Sequence, residues 1–364
     1  MRPKLDWLWG RSHDCSAPRG KSAIAIRDDR VVKARIALVY IVIAIINVGA
    51  WVWTLFAFQG RPALLGIAVL IYGLGLRHAL DADHIAAIDN VTRKQMQQNR
   101  RPVCVGFWFA VGHSSIVIFV AAAIIGATRL LGHFRRFQSL GAIVSSSISA
   151  TFLLAIAVMN IVIFMSVLRS YRTLRAGGKF IEEDLNNMLD RRGFMSRIFR
   201  PVFRLVSESW HMIFLGFLFG LGFDTATEIA MFGISVEQVN KGLSVGFVAV
   251  FPVLFAAGML LVDTTDGVMM LGAYDWAFVK PIRKVFYNLT ITLVSAIVAL
   301  LIGILEVLGL VNGAFELKGG LWKGVARLNA NFNGLGVLIV AIFIIAWGLS
   351  YLIYRAKRLD DLDV

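Results

Sequence analysis

Residues 77–84 read Arg77-His-Ala-Leu-Asp-Ala-Asp-His84, and they continue a run that a lipid bilayer would otherwise claim. The 14 residues before them, Ala63 to Leu76, carry no charge. As a helix that run covers about 21 Å of a hydrocarbon layer about 30 Å thick. The remainder of the crossing is then built from Arg77, His78, Asp81, Asp83 and His84. An ionised side chain at that depth costs at least ~2.5 kcal/mol, so a cluster of this density marks a functional site. Imidazole beside carboxylate is ligand chemistry for a divalent transition metal.

The rest of the chain agrees with a membrane setting. It has 364 residues, of which 58% are hydrophobic and 16% charged, with a mean hydropathy of +0.72. That is the composition of an all-α, polytopic membrane protein. Apolar stretches fall near 36–58, 63–85, 103–126, 141–168, 210–232, 244–270, 286–311 and 334–354, which predicts eight transmembrane helices. The organisation expected is a tail at 1–35, spans 1–4 over 36–168, a loop at 169–209, spans 5–8 over 210–354 and a tail at 355–364. Within the loop, Ile181, Leu185, Met188 and Leu189 have helical spacing opposite Glu182, Glu183 and Asn186, which predicts an interfacial amphipathic helix and no folded domain. Segment 312–333 reads as a surface loop with some helix.

Of the 37 Lys and Arg, 28 fall in the two tails and the loops after spans 2, 4 and 6, against 8 in the opposite loops; Arg77 lies inside span 2. The positive-inside rule therefore puts both termini in the cytoplasm. The net charge of +14 reports this asymmetry. Spread over five segments, it does not describe a nucleic-acid surface. Residues 1–35 are polar and basic without an apolar core, so no signal peptide is expected. Cys15 and Cys104 both fall on the cytoplasmic side, where thiols stay reduced, and no structural disulfide is predicted.

Two passages repeat. Tyr72-Gly-Leu-Gly-Leu-Arg-His-Ala-Leu-Asp81 aligns without a gap to Phe219-Gly-Leu-Gly-Phe-Asp-Thr-Ala-Thr-Glu228 at an offset of 147. One span later, Phe109-Ala-Val-Gly112 aligns to Phe255-Ala-Ala-Gly258 at an offset of 146. Spans 2 and 3 are thereby related to spans 5 and 6. A shift of three spans reverses direction across the bilayer, so these would be inverted repeats with a site between the halves. Shared lipid-facing composition is the simpler alternative.

On an ideal helix with Arg77 at 0°, Asp81 falls at about 40°, His78 at about 100° and His84 at about 340°, a single inward stripe. Asp83 falls at about 240°, off the stripe. Either the helix breaks here, as Gly73 and Gly75 would permit, or Asp83 orients an imidazole from behind. In span 3, His113 of Gly112-His-Ser-Ser115 lies roughly 15 Å from the cytoplasmic face, at a depth that overlaps His78. The metal candidates are therefore His78, Asp81, Asp83, His84 and His113, set against the alternative of a structural polar network. Asp224 and Glu228 in span 5 stand at i and i+4, and Asp263 and Asp266 in span 6 at i and i+3. Buried like charges need a cation or an Arg between them. Arg77, Ser114, Asp224, Glu228, Asp263 and Asp266 are candidates for an ion path or gate.

Taken together, the motifs Arg77–Ile85, Gly112–Ser115, Leu221–Ile229 and Asp263–Gly267 resemble the nickel/cobalt transporter family of bacterial high-affinity uptake permeases. The similarity extends over essentially all eight spans. It implies a secondary transporter of the bacterial inner membrane that imports Ni²⁺, with Co²⁺ as the alternative cargo. The metal is then the substrate, and no cofactor is implied. It also implies metal recognition by the His-x4-Asp-His pattern, here His78, Asp83 and His84, and by His113. No Gly-x4-Gly-Lys-Ser/Thr run is present, so ATP use by this chain and an ATPase partner are not expected. The alternatives are a proton or monovalent-cation transporter, which has little need for three imidazoles, and a membrane-embedded metalloenzyme, for which no nucleophile has an evident base.

Overall fold

The structure, a computed structural model, describes residues 21–97, 100–126, 131–175, 207–221, 226–277 and 281–356. Among them all regular structure is helical: α1 (Lys21–Ala57), α2 (Pro62–His78), α3 (Ala82–Gln97), α4 (Val105–Gly126), α5 (Leu131–Arg175), α6 (Met212–Phe219), α7 (Ala226–Asn240), α8 (Val250–Ala277), α9 (Pro281–Phe315), α10 (Gly320–Asn329) and α11 (Phe332–Ala356). Among the described residues five helices are long and apolar enough to cross a membrane, and up to seven spans result if each bent pair is one span. The described residues are thus all-helical, with the several long apolar helices that a multi-pass membrane protein requires.

Side-chain placement follows from solvation by lipid. In α1, Val39, Ile43, Ala50 and Thr54 form an inward stripe at helical spacing, while Ile41, Ile45, Val48 and Phe56 face out. With apolar side chains already satisfied by lipid, the inner contacts depend on close backbone approach. A Cβ at Gly75 would collide with the Phe255 carbonyl, and one at Gly216 with the Phe109 carbonyl. Gly258 sits against the Tyr72 carbonyl and Gly112 against that of Ile213. The first helix of each related pair therefore packs on the second helix of the other pair: α2 on α8, and α6 on α4.

The span that carries the 77–84 motif is bent by 51°. Pro62 opens α2 at its first turn, where a missing N–H is harmless. Beyond His78 the ladder tightens: Leu80 N donates to Arg77 O at 3.1 Å and Asp81 N to His78 O at 2.9 Å. The chain restarts as α3 at Ala82, with Asp83 in the first turn, where the helix dipole favours an anion. This break removes the conflict on the ideal wheel, because Asp83 belongs to a new helix axis.

The loop expected between spans 2 and 3, residues 86–102, is corrected by α3, which runs on to Gln97. Asp89, Asn90, Thr92, Arg93, Lys94 and Gln95 are all buried. A polar helix tolerates such burial only where neighbours supply hydrogen-bond partners. Here α5, α8, α9 and α11 surround it. α5 likewise extends past the expected 141–168 at both ends. The amphipathic helix expected at 181–189 lies outside the described residues, as does Asp224. Helix α10 falls inside segment 312–333, with Val325 buried and Lys323 and Arg327 on the helix.

Candidate metal centre

The break at 79–81 sets two imidazoles from one strand of chain side by side. His78 closes α2 and His84 lies in the first turn of α3; their ring centroids are 4.8 Å apart. From the middle of α4, His113 joins them at 4.9 Å from His78 and 4.7 Å from His84. One ligand atom from each ring lies within 4.8 Å of the others. Two donors on opposite sides of a metal at about 2.1 Å would be about 4.2 Å apart. A shift of a few tenths of an ångström in each side chain closes that difference. All three rings are 1–3% exposed.

Each ring has its own acidic neighbour. Asp81 Oδ2 is 3.1 Å from His78 Nδ1, and Thr227 Oγ1 is 3.2 Å from the same nitrogen. Asp263 Oδ1 is 3.3 Å from His84 Nδ1. Glu228 Oε1 is 3.2 Å from His113 Nε2 and 3.8 Å from His78 Nε2. A carboxylate on one ring nitrogen fixes the tautomer and makes the other nitrogen a better donor. His84 Nε2 accordingly has no hydrogen-bond partner among the described residues. His78 Nε2 and His113 Nε2 stand 3.0 Å apart, a contact that needs a proton on one ring or a cation between them.

The second half of the chain contributes three of the four residues that flank the rings. Thr227 and Glu228 come from the first turn of α7, and Asp263 from the middle of α8. The four sequence motifs therefore converge on one buried point, which their separation of up to 185 residues along the chain does not suggest. Thr227 is a contact that residue patterning passed over, since one hydroxyl in an apolar span carries no signal of its own.

The other expected residues make no side-chain hydrogen bond to the three rings among the contacts described. Asp83 is half-buried beside His84 and interacts electrostatically with His84 and His78. Arg77 lies on the exposed side of α2. Ser114 is buried, and its Oγ has no partner among the described residues. Asp266 is buried one turn beyond Asp263.

Three imidazoles with adjacent carboxylates form a mixed nitrogen–oxygen donor set, suited to borderline metals such as nickel, cobalt and zinc and poorly suited to Mg²⁺ or Ca²⁺. Residues 64–353 match the family model described as high-affinity nickel-transport protein. The chain is 51% identical over 333 residues to a high-affinity nickel transport protein of Cupriavidus necator, covering 91% of this chain and 95% of the relative. It is 43% identical over 302 residues to the nickel transporter NixA of Staphylococcus aureus, covering 82% and 87%. It is 37% identical over 298 residues to the cobalt transport protein NhlF of Rhodococcus rhodochrous, covering 80% and 84%. No solved structure matches the chain.

Proposed function

This chain belongs to the high-affinity nickel-transport protein family, and we propose that it imports Ni²⁺ as a secondary transporter through the three-histidine cluster. Membership makes it a transport protein and not an enzyme, with the metal as its substrate. The observation that carries the reading is the set of three buried imidazole donors within 4.8 Å, backed by carboxylates from both halves of the chain. In this reading His78, His84 and His113 bind the ion. Glu228 completes the donor set, Asp81 and Asp263 orient the rings, and Asp83 supplies charge at the start of α3. Co²⁺ shares the ligand preferences and is the second cargo.

The proposed architecture has eight spans, with α6 and α7 forming a broken fifth span that answers α2 and α3. An inverted repeat is supported by the reciprocal packing of the two pairs. The aligned Phe109 and Phe255 each offer a carbonyl to a glycine of the other half, and the aligned Gly112 and Gly258 each rest on a backbone carbonyl of the other half. A site between two such halves suits alternating access, in which one half rocks against the other around the ion. The charge distribution supports cytoplasmic termini in a bacterial inner membrane.

The test is uptake of radioactive nickel by cells lacking their own permease, with cobalt, zinc and copper as competitors and with and without a protonophore. His78→Ala and His113→Ala abolish saturable uptake if the reading is right. Wild-type accumulation in both His78→Ala and Asp83→Ala would show that the site is elsewhere.

A further inference from the structure

Beyond the histidines lies a second buried polar region that the proposed ion site does not use. It lies alongside the middle of α3 and α8, at the level where α4 begins, marked by the close approach of Gly106 to the Asp263 carbonyl and of Gly267 to Ile88. Asp89 lies five residues past His84 on α3, about 7.5 Å further along, and Asp266 lies three residues past Asp263 on α8, about 4.5 Å further. Both are buried, Asp89 completely. Ser295 Oγ of α9 donates to Asp89 Oδ2 at 2.9 Å. Neither oxygen of Asp266 accepts a hydrogen bond among the described residues, although Asp89 and Asp263 both act on it electrostatically.

The buried Arg93 donates to Thr292 Oγ1 at 3.0 Å and to Asn90 Oδ1 at 3.2 Å. Asn90 Oδ1 also accepts from Asn160 Nδ2 at 2.6 Å, and Asn160 Oδ1 is a further buried oxygen without a partner among the described residues. Arg93 Nε and Thr92 Oγ1 are likewise buried without a partner among the described residues, so the region holds unpaired polar atoms of both kinds, and both oxygens of Asp266 are among them. A buried carboxylate that feels two others stays ionised only when positive charge reaches it; otherwise it takes up a proton.

We propose that Asp266 and Asp89 form a second, oxygen-donor site for the divalent cation, reached from the histidine cluster as the ion leaves it. The proposal rests on the histidine cluster being the transport site. The chemistry suits the sequence of events. Imidazole nitrogens hold a nickel-like ion well, whereas carboxylate and amide oxygens hold it more weakly, and a conducting route must bind tightly enough to load yet weakly enough to release. Asp263, bonded to His84 and one turn from Asp266, links the two sites.

The test is equilibrium dialysis of the purified full chain in detergent against radioactive Ni²⁺, with Co²⁺ absorption reporting nitrogen or oxygen coordination. Wild type is expected to bind two ions, the second at least ~10-fold more weakly and without an imidazole signature. Asp266→Asn and Asp89→Asn, both near-isosteric, are each expected to bind one ion at the tight site with unchanged affinity, which also verifies folding. In cells they lower maximal uptake while leaving the KM for Ni²⁺ within about twofold, in contrast to histidine substitutions. A wild-type stoichiometry of one, two ions in both variants, or loss of the tight site in both variants overturns the second site. Two ions retained after joint replacement of His78, His84 and His113 by Ala would instead refute the histidine reading, and the second site with it.

Discussion

Asp263→Asn isolates the part of the proposed metal centre that would orient a ligand without binding it. Asp263 Oδ1 lies 3.3 Å from His84 Nδ1, and both side chains are essentially inaccessible. A carboxylate accepts only, so it holds the proton on Nδ1 and leaves Nε2 with a lone pair turned to the cluster. An asparagine in the same volume can present its amide N–H instead. That moves the ring proton to Nε2, where it occupies the metal-binding pair. Even in the other amide orientation the negative charge that strengthens the imidazole is gone. Loss of such a partner costs about 10–100-fold in metal affinity. At about 1.4 kcal/mol per tenfold, that is about 1.4–2.8 kcal/mol. The KM for nickel uptake should rise by that factor, and the dissociation constant of the purified protein should follow. Both constants within twofold of wild type would refute the claim that His84 depends on Asp263.

Further outcomes follow from the same contacts. Glu228→Gln, which leaves neutral amide atoms between His78 and His113, should weaken Ni²⁺ binding by ~10-fold or more; the Co²⁺ spectrum of the purified variant reports the changed donor set. Gly75→Val should abolish uptake through misassembly, because the added carbons would occupy the Phe255 backbone; monodisperse material in detergent at wild-type yield would contradict this. Gly336→Val should displace the Leu80 carbonyl in the break that spaces His78 from His84, and so raise the KM with less loss of folded protein. In the connection before α4, burial pushes the Cys104 thiol up to about 11, partly offset by Arg35. Because a raised thiol pKa delays the thiolate to alkaline pH, maleimide labelling of a Cys15→Ser protein should climb about tenfold per pH unit from 7 to 10. A plateau near pH 8.5 would contradict it.

Much of the candidate metal centre was legible because lipid is an unforgiving solvent. His78, His84 and His113 stand out in apolar spans, and their burial has few innocent explanations. The wheel conflict at Asp83 even pointed to the break between α2 and α3. Less legible was the continuation of α3. Asp89-Asn-Val-Thr-Arg-Lys94 has the composition of a cytoplasmic loop, and hydropathy alone assigns it to water. Its burial depends on Ser295, Thr292 and Asn160, which lie in α9 and α5, far along the chain.

The residues by themselves determined a helical membrane protein with an intramembrane imidazole–carboxylate cluster, because hydropathy and charge act locally and are counted along the chain. Tertiary structure alone decided which carboxylate serves which ring, that Thr227, Glu228 and Asp263 cross from the second half to the first, and that Asp266 lies buried without a hydrogen-bond donor among the described residues. Those pairings are set by glycine-mediated backbone contacts between distant helices, and a contact across 150 residues leaves no periodic trace in the sequence that makes it.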